Sequence, residues 1–145
     1  MASDDVNARI LVRLWAVAEH SRRRIEAALR MRADCTIRQF VILDLIESSV
    51  ENVTAANLAR VLSCSRANVT QLLREVRQHR WLTMTAAHGD ARAEILRITE
   101  NGRLTHRSTA RLLADEAYVE LEALEPHEKQ RLVTVLGKLA RSRTR

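Results

Sequence analysis

The residues best suited to chemistry lie between Cys64 and Gln78. Val69, Leu72, Leu73 and Val76 repeat at 0, 3, 4 and 7, the pattern of an amphipathic helix over about 66–79. At roughly 100° per residue, the opposite face carries Ala67, Thr70, Gln71, Arg74 and Gln78. A merely solvated face would usually show Glu–Lys pairs. This stripe shows amides, a hydroxyl and a guanidinium, with no acid. Such groups read nucleic acid: arginine pairs with guanine, and Gln71 or Asn68 would pair with adenine. Ser65 and Thr70 suit phosphate oxygens. Arg66 and Ala67 share the surface, and the residue types alone do not divide the roles among Arg74 and its neighbours.

A second cluster follows at 81–98. Trp81-Leu82-Thr83-Met84-Thr85 and Ala93-Glu94-Ile95-Leu96-Arg97-Ile98 have strand propensity. The Gly89-Asp90 pair between them favours a turn. A two-stranded hairpin is expected, with His88, Asp90 and Arg92 on a basic tip.

Other chemistries find little support. Cys35 and Cys64 are too few for a disulfide framework or a Cys-based zinc site. Each is near an expected helix start, where a thiol pKa can fall, so a thiol-based redox sensor is one alternative; small buried residues are the other. His20, His79, His88, His106 and His127 show no close ligand spacing, so no metal is expected. No nucleophile elbow, phosphate-cradling loop or paired-carboxylate motif is present, so neither an enzyme nor a cofactor is expected.

These clusters need elements to hold them. A long helix is expected over about 6–31, with Ile10, Leu14, Val17, Ser21, Ile25 and Leu29 recurring beside Leu11, Trp15 and Ala18. A helix over 37–48 would be capped by Thr36 or Asp34, a short one by Thr54, and the polar-faced one by Ser65. Thr99 would cap a helix over about 100–123, whose apolar stripe reads Leu113, Ala117, Leu121 and Leu124, flanked by Leu112 and Tyr118. Pro126 suits the first position of a last helix, in which Leu132, Val135, Leu136 and Leu139 repeat. The fold class is therefore mostly α with a small β-hairpin. Its winged helix-turn-helix lobe spans 36–99, and helices at 1–35 and 100–145 flank it in a single domain.

Composition agrees. The 145 residues suit one domain. Three Gly and one Pro are too few for a turn-rich β sandwich. Of 24 Lys and Arg residues only Lys129 and Lys138 are lysine, and the net charge is +6. Arginine's planar fork matches phosphates and base edges bidentately, so nucleic acid is the first partner to test. No apolar run approaches the ~18 residues of a membrane span, and the first residues do not read as a signal peptide. The expected location is cytoplasmic, and on the nucleoid when bound to DNA.

The sequence resembles the multiple antibiotic resistance regulator (MarR) family of bacterial transcription factors. The matching stretches are Thr36-Ile-Arg-Gln-Phe-Val-Ile-Leu43, then Leu58-Ala59-Arg60-Val61-Leu62-Ser63-Cys64-Ser65-Arg66-Ala67-Asn68-Val69-Thr70. The wing Asp90-Ala91-Arg92-Ala93 and Ile98-Thr99-Glu100-Asn101-Gly102-Arg103 continue the register. Where the family usually has Gly after the recognition helix this chain has Arg80, and Met84 stands where a basic residue is frequent. The resemblance implies a homodimer that binds a pseudo-palindromic double-stranded DNA operator, usually as a repressor released by a small aromatic or anionic effector. It implies that Arg92 enters the minor groove, with Asp90 orienting it. It also implies a ligand pocket between the dimerisation helices and the DNA-binding lobe, for which Trp15, His20, Phe40 and Asp44 are the candidates; Trp15 and Phe40 could equally be core. A winged-helix module for protein–protein contact is the remaining alternative.

Overall fold

The computed structural model describes residues 2–50, 52–87 and 90–142, and the backbone alone at 2–4, 86–87, 90–94 and 141–142. The elements run α1 (Ala2–Arg32), α2 (Ile37–Ser48), α3 (Ala55–Val61), α4 (Arg66–Gln78), β1 (Leu82–Ala87), β2 (Asp90–Ile98), α5 (Glu100–Glu120) and α6 (Pro126–Ser142). The helix order and the hairpin are as the sequence predicts. At the ends, α1 begins earlier than expected, and α5 stops at Glu120 rather than near 123.

Four helix starts are fixed by hydroxyl caps, each satisfying a backbone N–H that lacks a helical partner. Thr36 accepts from the Gln39 N–H while the Gln39 side chain accepts from the Thr36 N–H, a complete capping box. Thr54, Ser65 and Thr99 accept from the N–H groups of Asn57, Asn68 and Gly102.

The core belongs to the winged lobe. Ile42 and Leu43 from α2, Leu58 from α3, and Val69, Leu73 and Val76 from α4 close on Trp81, Leu82, Leu96 and Ile98 of the hairpin base. β1 and β2 pair antiparallel from Leu82↔Ile98 to Ala86↔Glu94, and the register then shifts to Ala87↔Asp90.

The two long helices are packed over part of their length only. On α1 the side chains from Asp5 to Ala18 are exposed, and contact begins near Ser21. Beyond it Leu29 is buried, Ser21 donates to Glu120, and Arg24 and Arg32 reach Glu116 at 3.3 and 3.6 Å. On α5 the buried line is Gly102, Thr109 and Leu112. The expected stripe Leu113, Ala117, Leu121 and Leu124 is half-buried, and Tyr118 is exposed. On α6 every residue with a described burial is exposed except Lys129 and Gly137, which are half-buried.

Candidate nucleic-acid interface

Two tight turns aim α4. After α3, Ser63 takes φ 49°, with Cys64 N–H bonding to the Ala59 carbonyl and Ser63 N–H to that of Arg60. After α4, Arg80 takes φ 59°, with Trp81 N–H bonding to the Val76 carbonyl and Arg80 N–H to that of Arg77. Both are Schellman motifs, in which a left-handed residue lets the last carbonyls find donors. The left-handed conformation at Arg80 accounts for the family's usual Gly there.

The start of α5 then clasps the end of α4. The Asn101 side-chain amide, the Thr99 hydroxyl and the Thr99 N–H bond in turn to the carbonyls of His79, Arg80 and Trp81, at 3.2, 2.7 and 3.0 Å. A Cβ on Gly102 would stand 2.2 Å from the Trp81 carbonyl oxygen. Gly102 is thus what allows α5 to approach the hairpin base this closely, and the sequence Thr99-Glu-Asn-Gly102 has a structural reason.

On α4 itself, Ser65, Arg66, Ala67, Asn68, Thr70, Gln71 and Arg74 are all exposed on one continuous surface, opposite the buried Val69, Leu73 and Val76. Local bonds restrict two of them. Ser65 uses an oxygen lone pair on the Asn68 N–H, leaving its own O–H to donate outward. The Thr70 hydroxyl donates to the Arg66 carbonyl at 3.0 Å, so its proton is committed inward and it can offer only lone pairs. The Arg74 guanidinium is steadied by Gln71, whose side-chain oxygen accepts at 2.6 Å.

Arg9, Arg22, Arg23, Arg24, Arg32, Arg103 and Arg107 sit against acids of α1, α2 and α5. Arg22 and Arg23 hold the Glu19 carboxyl down at about 2, chiefly by hydrogen bonds. Among the described residues none of the ion pairs engages Arg66, Arg74, Arg77 or Arg80. Arg77 and Arg80 line a shallow cleft at the hairpin base, and Arg77 shares a second with Arg74 and Gln78. The row Arg74, Arg77, Arg80 was missed in the sequence, although its spacing of three was the available signal. Positive charge without partners, gathered beside a stripe of amides, is an anion-seeking surface.

His88 lies outside the described residues. Asp90 and Arg92 are placed by their backbones at the far end of β2, and their side chains lie outside the described residues.

The candidate ligand residues do not converge. Trp15 is 70% exposed and His20 is exposed as well, both on the uncovered half of α1. At that exposure Trp15 is not core among the described residues. Phe40 and Asp44 are occupied by His106 of α5, which sequence reasoning missed. Its ring stacks on Phe40 with centroids 5.1 Å apart, and its Nε2 meets Asp44 Oδ1 at 2.9 Å. These residues join α2 to α5. A cleft of about 540 Å³ lies elsewhere, between the α1–α2 turn and α4.

Both cysteines are free. Burial pushes the Cys35 thiol up to about 11, and its Sγ donates to the Thr36 carbonyl oxygen at 3.4 Å. A buried thiol with a raised pKa is little ionised at neutral pH, which disfavours Cys35 as a sensor.

Residues 37–145 match the family model described as the sugar transport-related sRNA regulator N-terminal region. No curated protein sequence matches the chain. Among solved structures, the transcriptional regulator BldR of Sulfolobus solfataricus is similar at 17% identity over 96% of this chain and 97% of its own, with a TM-score of 0.85. CouR of Rhodococcus jostii RHA1, solved with p-coumaroyl-CoA, has 18% identity over 97% and 94%, with a TM-score of 0.76. The DNA complex of Staphylococcus aureus MepR has 17% identity over 89% and 92%, with a TM-score of 0.70. Such likeness establishes the MarR fold.

Proposed function

The chain belongs to the sugar transport-related sRNA regulator N-terminal family and has the MarR fold, and from that premise we propose that it is a sequence-specific regulator of transcription that binds double-stranded DNA. The observation that carries this reading is the exposed α4 surface. Arg66, Arg74 and Arg77 on α4 and Arg80 just after it, which no ion pair engages among the described residues, stand with the amides of Asn68 and Gln71 there. Arginines would anchor phosphates and guanine edges, amides would read adenine, and the hairpin would follow the adjacent groove. Arg92, Asp90 and His88 are assigned to DNA contact there. MepR, of the same fold, was solved on DNA.

The protein acts as a homodimer in this reading. Ile10, Leu11, Leu14, Trp15 and Val17 are exposed on α1, and Leu132, Val135 and Leu136 on α6. So many large apolar groups along two helices suit an isologous interface between copies. The dimer presents two α4 helices to successive major grooves of a pseudo-palindromic operator, and it represses until a small effector binds. No helix among the described residues is long and apolar enough to cross a membrane, and the proposed place of action is the cytoplasm, on the nucleoid.

Selection of bound duplexes from a random pool tests the reading. The expected outcome is an imperfect palindrome with half-sites about 10 bp apart, bound with steep salt dependence. Sedimentation is expected to give a dimer at micromolar concentration, and charge at Leu132 and Leu136 to dissociate it. Recovery of no enriched duplex would overturn the DNA reading in favour of the protein-interaction module.

A further inference from the structure

The cleft of about 540 Å³ between the α1–α2 turn and α4 is walled by apolar Leu29, Ile37 and Leu72. At its α4 side stands Glu75, half-buried. The Glu75 carboxylate accepts from two amides: Gln71 Nε2 at 3.1 Å, and Gln39 Nε2 by a long contact of 3.4 Å. No cation pairs with it among the described residues. Its partners are neutral donors alone, and a cationic donor would bind the carboxylate more strongly.

Glu75 is also the centre of a polar chain that leaves the cleft. Gln39 is buried, and its oxygen accepts from the Thr36 N–H at the start of α2. From Glu75 the chain continues to Gln71, and from Gln71 to Arg74 on the outward face. The cleft is therefore connected, bond by bond, to side chains assigned above to base reading.

We propose that this cleft is the effector site, and that it takes a small apolar or aromatic amine whose cationic group displaces the amides from Glu75. The proposal rests on the reading of α4 as the DNA-reading helix, and it adds the place, the ligand class and the route of the response. Charge favours a cation over an anion. Arg30 and Arg38 stand exposed at the rim, where water screens them. The Glu26 carboxylate is already taken by Arg22 at 2.8 Å, and Asp34, exposed at the mouth, is screened as the two arginines are, which leaves Glu75 as the half-buried charge without an ion pair among the described cleft residues. Once an amine holds Glu75, Gln71 loses its acceptor and Arg74 loses a steadied Gln71. The amine thus has different contacts in the reading and released arrangements, which is the condition for coupling.

Tryptamine, 2-phenylethylamine and hexylamine are suitable probes, with indole-3-acetate as the anionic counterpart. Calorimetry on the full chain is expected to show at least one amine binding, with affinity falling tenfold or more in Glu75→Gln. Indole-3-acetate is expected to bind at least tenfold more weakly than tryptamine. A bound amine is expected to lower affinity for a selected duplex about tenfold, and to lose that effect in Glu75→Gln. Ala33→Phe, which fills the cleft from the α1–α2 turn, is expected to abolish amine binding while duplex binding stays unchanged. The proposal is overturned if no amine binds the native chain, if Ala33→Phe binds amine normally, or if indole-3-acetate binds as tightly as tryptamine. It is overturned equally if amine binding leaves duplex affinity untouched. Should no duplex be selected at all, the DNA reading falls and the route through Arg74 with it, whereas amine binding that Glu75→Gln loses still upholds the site.

Discussion

The Thr99 hydroxyl donates to the carbonyl of Arg80 at 2.7 Å, and Arg80 is held in the left-handed region at φ 59°. The cap of α5 thus rests on the strained residue that ends α4. Any change at either place is felt by the helix that carries Arg74.

Replacing Arg80 separates strain from charge. A non-glycine residue in the left-handed region costs about 1–2 kcal/mol, and glycine takes that conformation freely. Arg80→Gly is expected to stabilise the fold by about 1 kcal/mol, visible as a rise of a few degrees in Tm. The same variant is expected to bind all duplexes more weakly, having lost one phosphate-seeking cation. A fall in Tm measured by calorimetry would show that the Arg80 side chain holds the turn by contacts that outweigh the strain.

Gly102 carries the opposite expectation. The nearest obstacles to a Cβ are the Trp81 carbonyl oxygen at 2.2 Å and Ile98 Cγ1 at 2.8 Å. The first is backbone and cannot rotate away. Gly102→Ala must therefore push α5 off the hairpin base, weakening the bonds from Thr99 and Asn101 to the end of α4. A loss of about 2–4 kcal/mol in urea unfolding is expected, within the range of overpacking combined with lost hydrogen bonds. Unchanged stability would mean that the hairpin base yields without cost.

What the sequence made legible was local. Thr36, Thr54, Ser65 and Thr99 announce helix starts because a cap involves residues only three apart. The outward stripe of α4 was legible because helical geometry alone decides which residues oppose Val69 and Val76. The surroundings of the ligand candidates were not legible because they depend on partners far along the chain. Nothing near Phe40 or Asp44 shows that His106 would occupy both. The uncovered half of α1 was read in part as core because an apolar stripe looks alike whether it faces its own chain or another. The α1–α2–α4 cleft has no sequence signature at all, since Leu29, Ile37 and Leu72 each also read as ordinary stripe positions.

Alkaline pH provides a check on the lobe core. The folded Cys35 thiol titrates near 11 rather than at its ordinary 9.0, chiefly because burial penalises the thiolate. Between pH 9 and 11 the unfolded chain sheds this proton while the folded chain retains it, so stability falls as pH rises through that window. The contribution is present in full below pH 9, and its loss amounts to at most about 3 kcal/mol by pH 11. Cys35→Ala is expected to show a flatter decline in denaturant midpoint across this range than the native chain. Parallel declines would mean that the thiol is reached by water in the native state.

The two DNA-contacting elements are expected to differ in what they contribute. Arg74 stands exposed on α4 with Gln71 fixing its fork, within the surface assigned to base edges. Arg92 belongs to the hairpin assigned to the minor groove, whose code is degenerate. Arg74→Ala is expected to cost about 1–3 kcal/mol on the cognate duplex and less on a scrambled one. Arg92→Ala is expected to weaken both similarly and to reduce the salt slope by about one, because it removes a mostly electrostatic contact. Gln71→Ala supplies the control. It removes the group that orients Arg74 without removing charge, so it should lower cognate affinity while leaving the salt slope unchanged. Titration of all three variants against both duplexes at two salt concentrations separates these cases. Equal losses for Arg74→Ala on the two duplexes would make it a phosphate anchor and move base reading to Asn68 and Gln71. No loss from any variant would leave the α4 face without a role in DNA binding.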